Sequence, residues 1–220
     1  MGLFISFTLP IIIIIVVAAL YDSLAPEYDK AKKRLFERES EKLKEGKYVV
    51  LDLETTGLDK RKCEIIEIGA FKIENMEVTD SFHSFVKPEG KIPKFITKMT
   101  GISEKTVKDA PALEKILPEF LEFCQDYTCV AHNAFFDRAF LRNAARSLNL
   151  TFPNPFIDTL KIARVHYPFW PNHKLPTVVE NLCPDENKKW VKHHSGIEDA
   201  RVLVDVFLCF LKENKVLLSD

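Results

Sequence analysis

The sequence predicts an α/β layer fold built on a mixed sheet. Three strand-like runs come first, and from residue 128 onward short strands alternate with helical patterns. Apolar residues make up 46% and charged residues 29% of 220, which suits a packed domain and excludes a mainly disordered, collagen-like or multi-span membrane chain. Residues 48–53 are a short apolar, β-branched run ending at charged residues, as a central strand does. Residues 64–73 and 78–86 read as the next two strands, and the Glu74-Asn75-Met76-Glu77 step between them predicts an antiparallel hairpin. A helix is expected near 112–124, a strand over 128–131, and a helix near 134–148. A short strand around Phe156, smaller helices near 159–167 and 175–182, and a long helix from about 196 to 212 complete the order.

The first residues differ from all that follow. Residues 3–20 carry no charged side chain and include an isoleucine run at 11–15. At about 1.5 Å per helical residue, twenty residues reach roughly the thickness of a bilayer core, so residues 1–22 are expected to be an N-terminal transmembrane helix. A cleaved signal peptide is the alternative. It would open on basic residues, which are missing here, and Pro26 directly follows the Ser23-Leu24-Ala25 triplet. Lys30, Lys32, Lys33 and Arg34 lie just after the span, and no Lys or Arg lies before it. That asymmetry predicts a single-pass, membrane-anchored protein with its main domain in the cytoplasm. Residues 23–46 read as a charged helical linker, starting near Pro26 and ending at Gly46, followed by one domain over 47–213 and a short tail at 214–220.

The formal charge is −1, from 31 basic and 32 acidic residues, so any contact with a polyanion must rest on a local patch or on bound cations. The five cysteines are scattered without a Cys-x-x-Cys pair and read as reduced thiols of a cytosolic environment.

The chemistry starts at Asp52-Leu53-Glu54. Residues two apart on a strand face one way, so both carboxylates point together at the end of the first strand. Adjacent anions repel unless a cation or a proton intervenes. Thr55-Thr56-Gly57 follows, a turn able to offer hydroxyl and N–H groups to a phosphate or a sugar. Asp137, in His132-Asn133-Ala134-Phe135-Phe136-Asp137, shares the apolar stripe of its helix with Phe140, Leu141, Ala144 and Leu148. Asp199 likewise shares the stripe of Val202, Leu203, Val206 and Phe210. One such acid is commonly a satisfied core residue, but two of them plus a same-face strand pair call for a shared cation. Four hard oxygen donors favour Mg²⁺ or Mn²⁺ over zinc. His194, five residues before Asp199, is placed to accept a water proton, with the adjacent His193 not separated from it by pattern. Asp158 reads as a helix cap or brace and Glu67 as a structural residue.

Asp52-x-Glu54-Thr55-Thr56-Gly57, His132-Asn133-x-x-x-Asp137 and His194-x-x-x-x-Asp199 resemble the three exonuclease motifs of the DEDD family in its histidine-bearing branch. Thr100-Gly101-Ile102 before Ala110-Pro111, and Asp158-Thr159-Leu160, resemble that family's connecting segments. The likeness covers about 47–212 and is nearest to the epsilon proofreading subunits of bacterial DNA polymerase III. The resemblance implies a ribonuclease H-like fold, a five-stranded mixed sheet of order 3-2-1-4-5 flanked by helices. It also implies a 3′–5′ exonuclease that releases nucleoside 5′-monophosphates from single-stranded or frayed DNA ends by a two-metal mechanism. Asp52, Glu54, Asp137 and Asp199 would be the metal set for two ions, Mg²⁺ or Mn²⁺, and His194 the general base. Thr55, Thr56, Gly57 and Leu58 would seat the terminal nucleotide, with His132, Asn133 and Phe136 lining the pocket. Ser195-Gly196 stands where the family commonly has Arg-Ala.

The expected partner is nucleic acid, DNA ahead of RNA, with the membrane engaged through residues 3–20. The short stretch after Lys212 together with the apolar N-terminus favours a free-standing tethered nuclease over a polymerase-bound proofreader. An exoribonuclease and a catalytically silent, membrane-tethered nucleic-acid-binding module are the alternatives.

Overall fold

Side chains of the run KYVVLDLET alternate between the two sides of an extended backbone, and each side finds its own core. The computed structural model describes residues 43–183 and 195–213 and extends this run as β1 over Lys47–Thr55. β1 is the middle strand of a five-stranded sheet ordered β3-β2-β1-β4-β5, with β2 at Ile65–Glu74, β3 at Glu77–Phe85, β4 at Thr128–Ala131 and β5 at Phe156–Asp158. It pairs antiparallel with β2 and parallel with β4, so the sheet is mixed, in the expected order. Asn75 and Met76 have φ of 50° and 68°, both left-handed, which makes the tight turn of the β2–β3 hairpin.

Two short helices, α1 (Lys94–Thr100) and α2 (Glu104–Val107), occupy a stretch where sequence periodicity predicts none. Each is too short to display an apolar stripe. Their signals are local instead: a capping box between Ser103 and Thr106, and Gly101 at φ 77° closing α1. Together they carry Ile96, Ile102 and Val107 onto Ile66 of β2.

The longer helices cover both sheet faces. α3 (Leu113–Cys124) and α4 (Ala134–Ser147) pack on Val49, Leu51 and Leu53. α5 (Thr159–His166), α6 (Leu175–Leu182) and α7 (Gly196–Lys212) pack on Tyr48 and Val50. Burying each such side chain contributes about 1.5–3 kcal/mol.

α7 comes very close to the sheet where it crosses β2. A Cβ added at Gly69 would stand 2.4 Å from the backbone of Gly196 and Ile197, so glycine is required there. Gly69→Ala is expected to lower unfolding free energy by about 2 kcal/mol or more, because the backbone of α7 must move off the strand. Urea denaturation reads this as a lower midpoint, and an unchanged midpoint would contradict the close approach.

One expectation is corrected. Crossing a bilayer core takes about 20 predominantly apolar residues. Among the described residues no helix is long and apolar enough to do so. The longest apolar one, α7, has 17 residues and carries Glu198, Asp199, Arg201 and Asp205. Residues 3–20, on which the single-pass, membrane-anchored localisation rested, lie outside the described residues, so neither the anchor nor a membrane partner is carried further. Of the linker over 23–46, residues 43–46 fall within them, with Leu43 and Lys44 helical. Gly46 donates its N–H to the Leu43 carbonyl at 3.2 Å, and the Tyr48 hydroxyl donates to the same oxygen at 2.7 Å. A compact unit begins at Leu43.

Candidate active site

Asp52 and Glu54 continue the β1 face that bears Tyr48 and Val50, but they emerge past the apolar core. On the same face, the first turn of α7 brings in Asp199, and carboxylate oxygens of Asp52, Glu54 and Asp199 all lie within 4.8 Å of one another. Asp137 arrives from the other face. The first turn of α4 carries it over the strand end, where its carboxylate accepts hydrogen bonds from its own backbone N–H and that of Leu53. All four acids line one cleft of about 200 Å³, together with His132, Asn133 and Phe136. Met99 of α1 joins them there, a contact invisible in the sequence because the helix that delivers it has no periodic signature.

Burial dominates the electrostatics. It raises the Asp52 carboxyl well above its ordinary range, and the charges of Asp137, Asp199, Glu54 and Glu67 raise it further. Glu54 is pushed up to about 8 by burial and then by Asp199, Glu67 and Asp137. Asp137 is pushed up to about 7 by burial, against the two backbone N–H bonds that favour its charged form. Such a group is ill at ease without positive charge. Hard carboxylate oxygens from three segments, close enough for one cation to reach three of them, are a fitting donor set for a divalent ion.

Glu67 is more than structural filler. It pairs with Glu54 across β1 and β2, is fully buried, and accepts from the Gly196 N–H at 2.9 Å, the Ser195 hydroxyl at 3.1 Å and His83 Nε2 at 2.8 Å. Burial would raise its carboxyl, but the bonds from His83, Gly196 and Ser195 hold it below its ordinary value. Glu67 therefore fastens the start of α7, three residues ahead of Asp199, to the strand beside Glu54. The signal available in the sequence is a lone acid inside the otherwise apolar run Ile65-Ile66-Glu67-Ile68, opposite the carboxylate pair once the hairpin register is known.

The remaining predicted residues sort by what their polar atoms do. His132 lines the cleft, yet both ring nitrogens are engaged: Nε2 with the His173 carbonyl at 2.9 Å and Nδ1 with the Thr159 hydroxyl at 3.0 Å. Since a carbonyl only accepts, Nε2 carries the proton, and burial holds the imidazole below its usual pKa. Asn133, at φ 69°, starts α4, and its N–H donates to Asp158, which also caps α5 through the Leu160 N–H. The Thr55 hydroxyl donates to the Gly57 carbonyl at 2.7 Å, and Thr56 bonds Glu64 through both its N–H and its hydroxyl. These threonines and Gly57 are buried in the turn after β1, with Leu58 exposed at its tip. The turn adjoins the cleft, and its hydroxyls are spent on holding its own shape. His193 and His194 lie outside the described residues.

Residues 49–207 match the model of a protein family described as exonuclease. The chain belongs to the exonuclease family. Among its relatives, DNA polymerase III PolC-type of Caldanaerobacter subterraneus subsp. tengcongensis is 46% identical over 175 residues, which covers 80% of this chain and 12% of that protein. DNA polymerase III subunit epsilon of Aquifex aeolicus is 34% identical over 172 residues, covering 78% of this chain and 83% of that subunit. Similar folds are found in the nuclease domain of 3'hExo, a DEDDh family member bound to rAMP (TM-score 0.64, 19% identity), and in Exonuclease X in complex with 5' overhanging duplex DNA (TM-score 0.60, 22% identity). Each covers 76% of this chain and 92% of the matched one. The fold is thus ribonuclease H-like, and this member of the exonuclease family is similar in sequence to an epsilon subunit over most of its described length.

Proposed function

We propose that this exonuclease removes nucleoside 5′-monophosphates from single-stranded or frayed 3′ ends of DNA in a reaction that requires divalent cations. The convergence of Asp52, Glu54 and Asp199 within 4.8 Å, in surroundings that raise the carboxyls of Asp52, Glu54 and Asp137, carries the reading. Asp52, Glu54 and Asp199 would hold one Mg²⁺ or Mn²⁺, Asp52 would share a second, and Asp137 would complete the set through water. Two such ions, when bound, orient the attacking water and stabilise charge on the departing 3′ oxygen. The residues of the chain do the rest. Glu67 holds the start of α7, His132 with Phe136 and Met99 lines the space for a nucleotide, and the turn at 55–58 borders it. His194, five residues ahead of Asp199, would take the proton of the water. The catalytic domain would span 47–213. DNA is favoured because the relatives at 34–46% identity are named as DNA polymerase III proteins, and the same names support association with a polymerase.

Matched end-labelled DNA and RNA oligomers, incubated with Mg²⁺, Mn²⁺ or chelator, test this. The expected outcome is stepwise loss from the 3′ end to 5′-monophosphates, faster on DNA, and none with chelator. Faster loss of RNA would make the chain an exoribonuclease, and cation-dependent binding without cleavage would make it a silent binding module.

A further inference from the structure

The outer side of α4 carries Arg138, Arg142 and Arg146, one every four residues and so about 6 Å apart along the helix axis. Like charges at that spacing repel and disfavour the helix. Among the described residues none of the three, nor Lys60 from the β1–β2 connection, has an acidic partner within ion-pair distance; the pairs present are Arg61–Asp59, His83–Glu67 and Arg201–Asp205. The four cations line a shallow groove of about 200 Å³ with Phe135 at one end. Asn143 donates from Nδ2 to the Lys60 carbonyl at 2.8 Å, which ties the connection to the helix and fixes the groove's two walls. Phe135 is 68% exposed, and Lys60 Nζ lies 6.0 Å from its centre. The next two residues of α4, Phe136 and Asp137, line the catalytic cleft, so one helix carries residues of both the cleft and the groove.

We propose that this groove binds the phosphodiester backbone of the single-stranded DNA substrate upstream of its terminal nucleotide, with Arg138, Arg142, Arg146 and Lys60 facing phosphates and Phe135 stacking on a base. The inference rests on the exonuclease reading above and extends it from the scissile bond to the strand behind it. A chain of net charge −1 gains little general attraction for a polyanion, so a local row of unpaired cations leading away from the cleft is what retains the strand between cleavages. Such contacts release counterions and make affinity steeply dependent on salt, while an aromatic platform adds sequence-tolerant stacking.

The test compares the full wild-type chain with the double variant Arg142→Ala/Arg146→Ala on a long single-stranded DNA oligomer and on a dinucleotide, across a range of salt. The KM for the long oligomer is expected to rise about tenfold or more, and the slope of log KM against log salt to flatten by about 1.4, the amount lost with two phosphate contacts to a single strand. The dinucleotide, which ends inside the cleft, is expected to keep its KM and kcat. Arg142→Lys/Arg146→Lys should return the slope. An active wild type whose long-oligomer KM and salt slope are unchanged by the alanine pair overturns the groove, as does an equal rise in KM for both substrates. A wild type inert on both substrates defeats the nuclease reading and the groove with it.

Discussion

Asp52→Asn is expected to abolish turnover, by roughly a thousandfold or more, while making the cation-free protein more stable. The loss of rate follows from removing the carboxylate that both ions would share, a loss of charge stabilisation at the reacting phosphate. The gain in stability follows from the same carboxylate's surroundings. Glu54 and Asp137 are pushed up to about 8 and about 7, against ordinary values of 4.5 and 3.8, and Asp52 is raised as well. Over the interval between ordinary and raised values the folded chain holds protons that the unfolded chain has released. The contribution of these three acids to stability is therefore fully present near and below about pH 4 and is lost as pH rises through about 7 to 8. Asparagine removes one anion and its repulsion of the other acids, so that fall becomes shallower. Thermal melts in chelator, from about pH 6 to about 9, should show the wild type losing Tm and the variant losing less. Mg²⁺ or Mn²⁺ should raise the Tm of the wild type most at the alkaline end, where no protons must be displaced first. A wild type whose cation-free Tm climbs over that range, or a variant with near-normal turnover, would sink this account of the cleft.

Glu67→Ala has the second largest expected effect, and it separates a positioning part from a purely structural one. Three donors converge on this carboxylate: the Gly196 N–H, the Ser195 hydroxyl and His83 Nε2. Alanine strands the Gly196 N–H in a buried place, at a cost of about 3 kcal/mol when the lost charge-assisted bonds are counted together. Because Glu67 also anchors the turn that delivers Asp199, kcat should drop about 10- to 100-fold with KM for a dinucleotide changed far less, as when support behind a metal ligand is removed. Glu67→Gln keeps an oxygen for the Gly196 N–H and should recover part of both losses. If kcat is intact well below the lowered Tm, Glu67 serves folding alone.

Much of this was readable before any coordinates. β1, β4, α6 and α7 lie where apolar runs and stripes place them, since each buries a continuous face whose period the sequence displays. Asp137 and Asp199 stood out because a charge on an apolar stripe breaks the pattern, and both lie in the cleft. What escaped depends on contacts between segments rather than on any segment's period. α1 and α2 form through caps and a glycine turn. Met99 reaches the cleft only because α1 exists, and Glu67 matters only because β2 pairs with β1 in a register that sets it beside Glu54. The turn hydroxyls of Thr55 and Thr56 look available in a linear reading, yet they close on Gly57 and Glu64 once the chain folds back.

The acids reach the cleft from opposite sides of the sheet, Asp137 with α4 and Asp199 with α7. The four-acid cluster is therefore complete only when α7, the last helix in the described chain, has docked on β2 at Gly69.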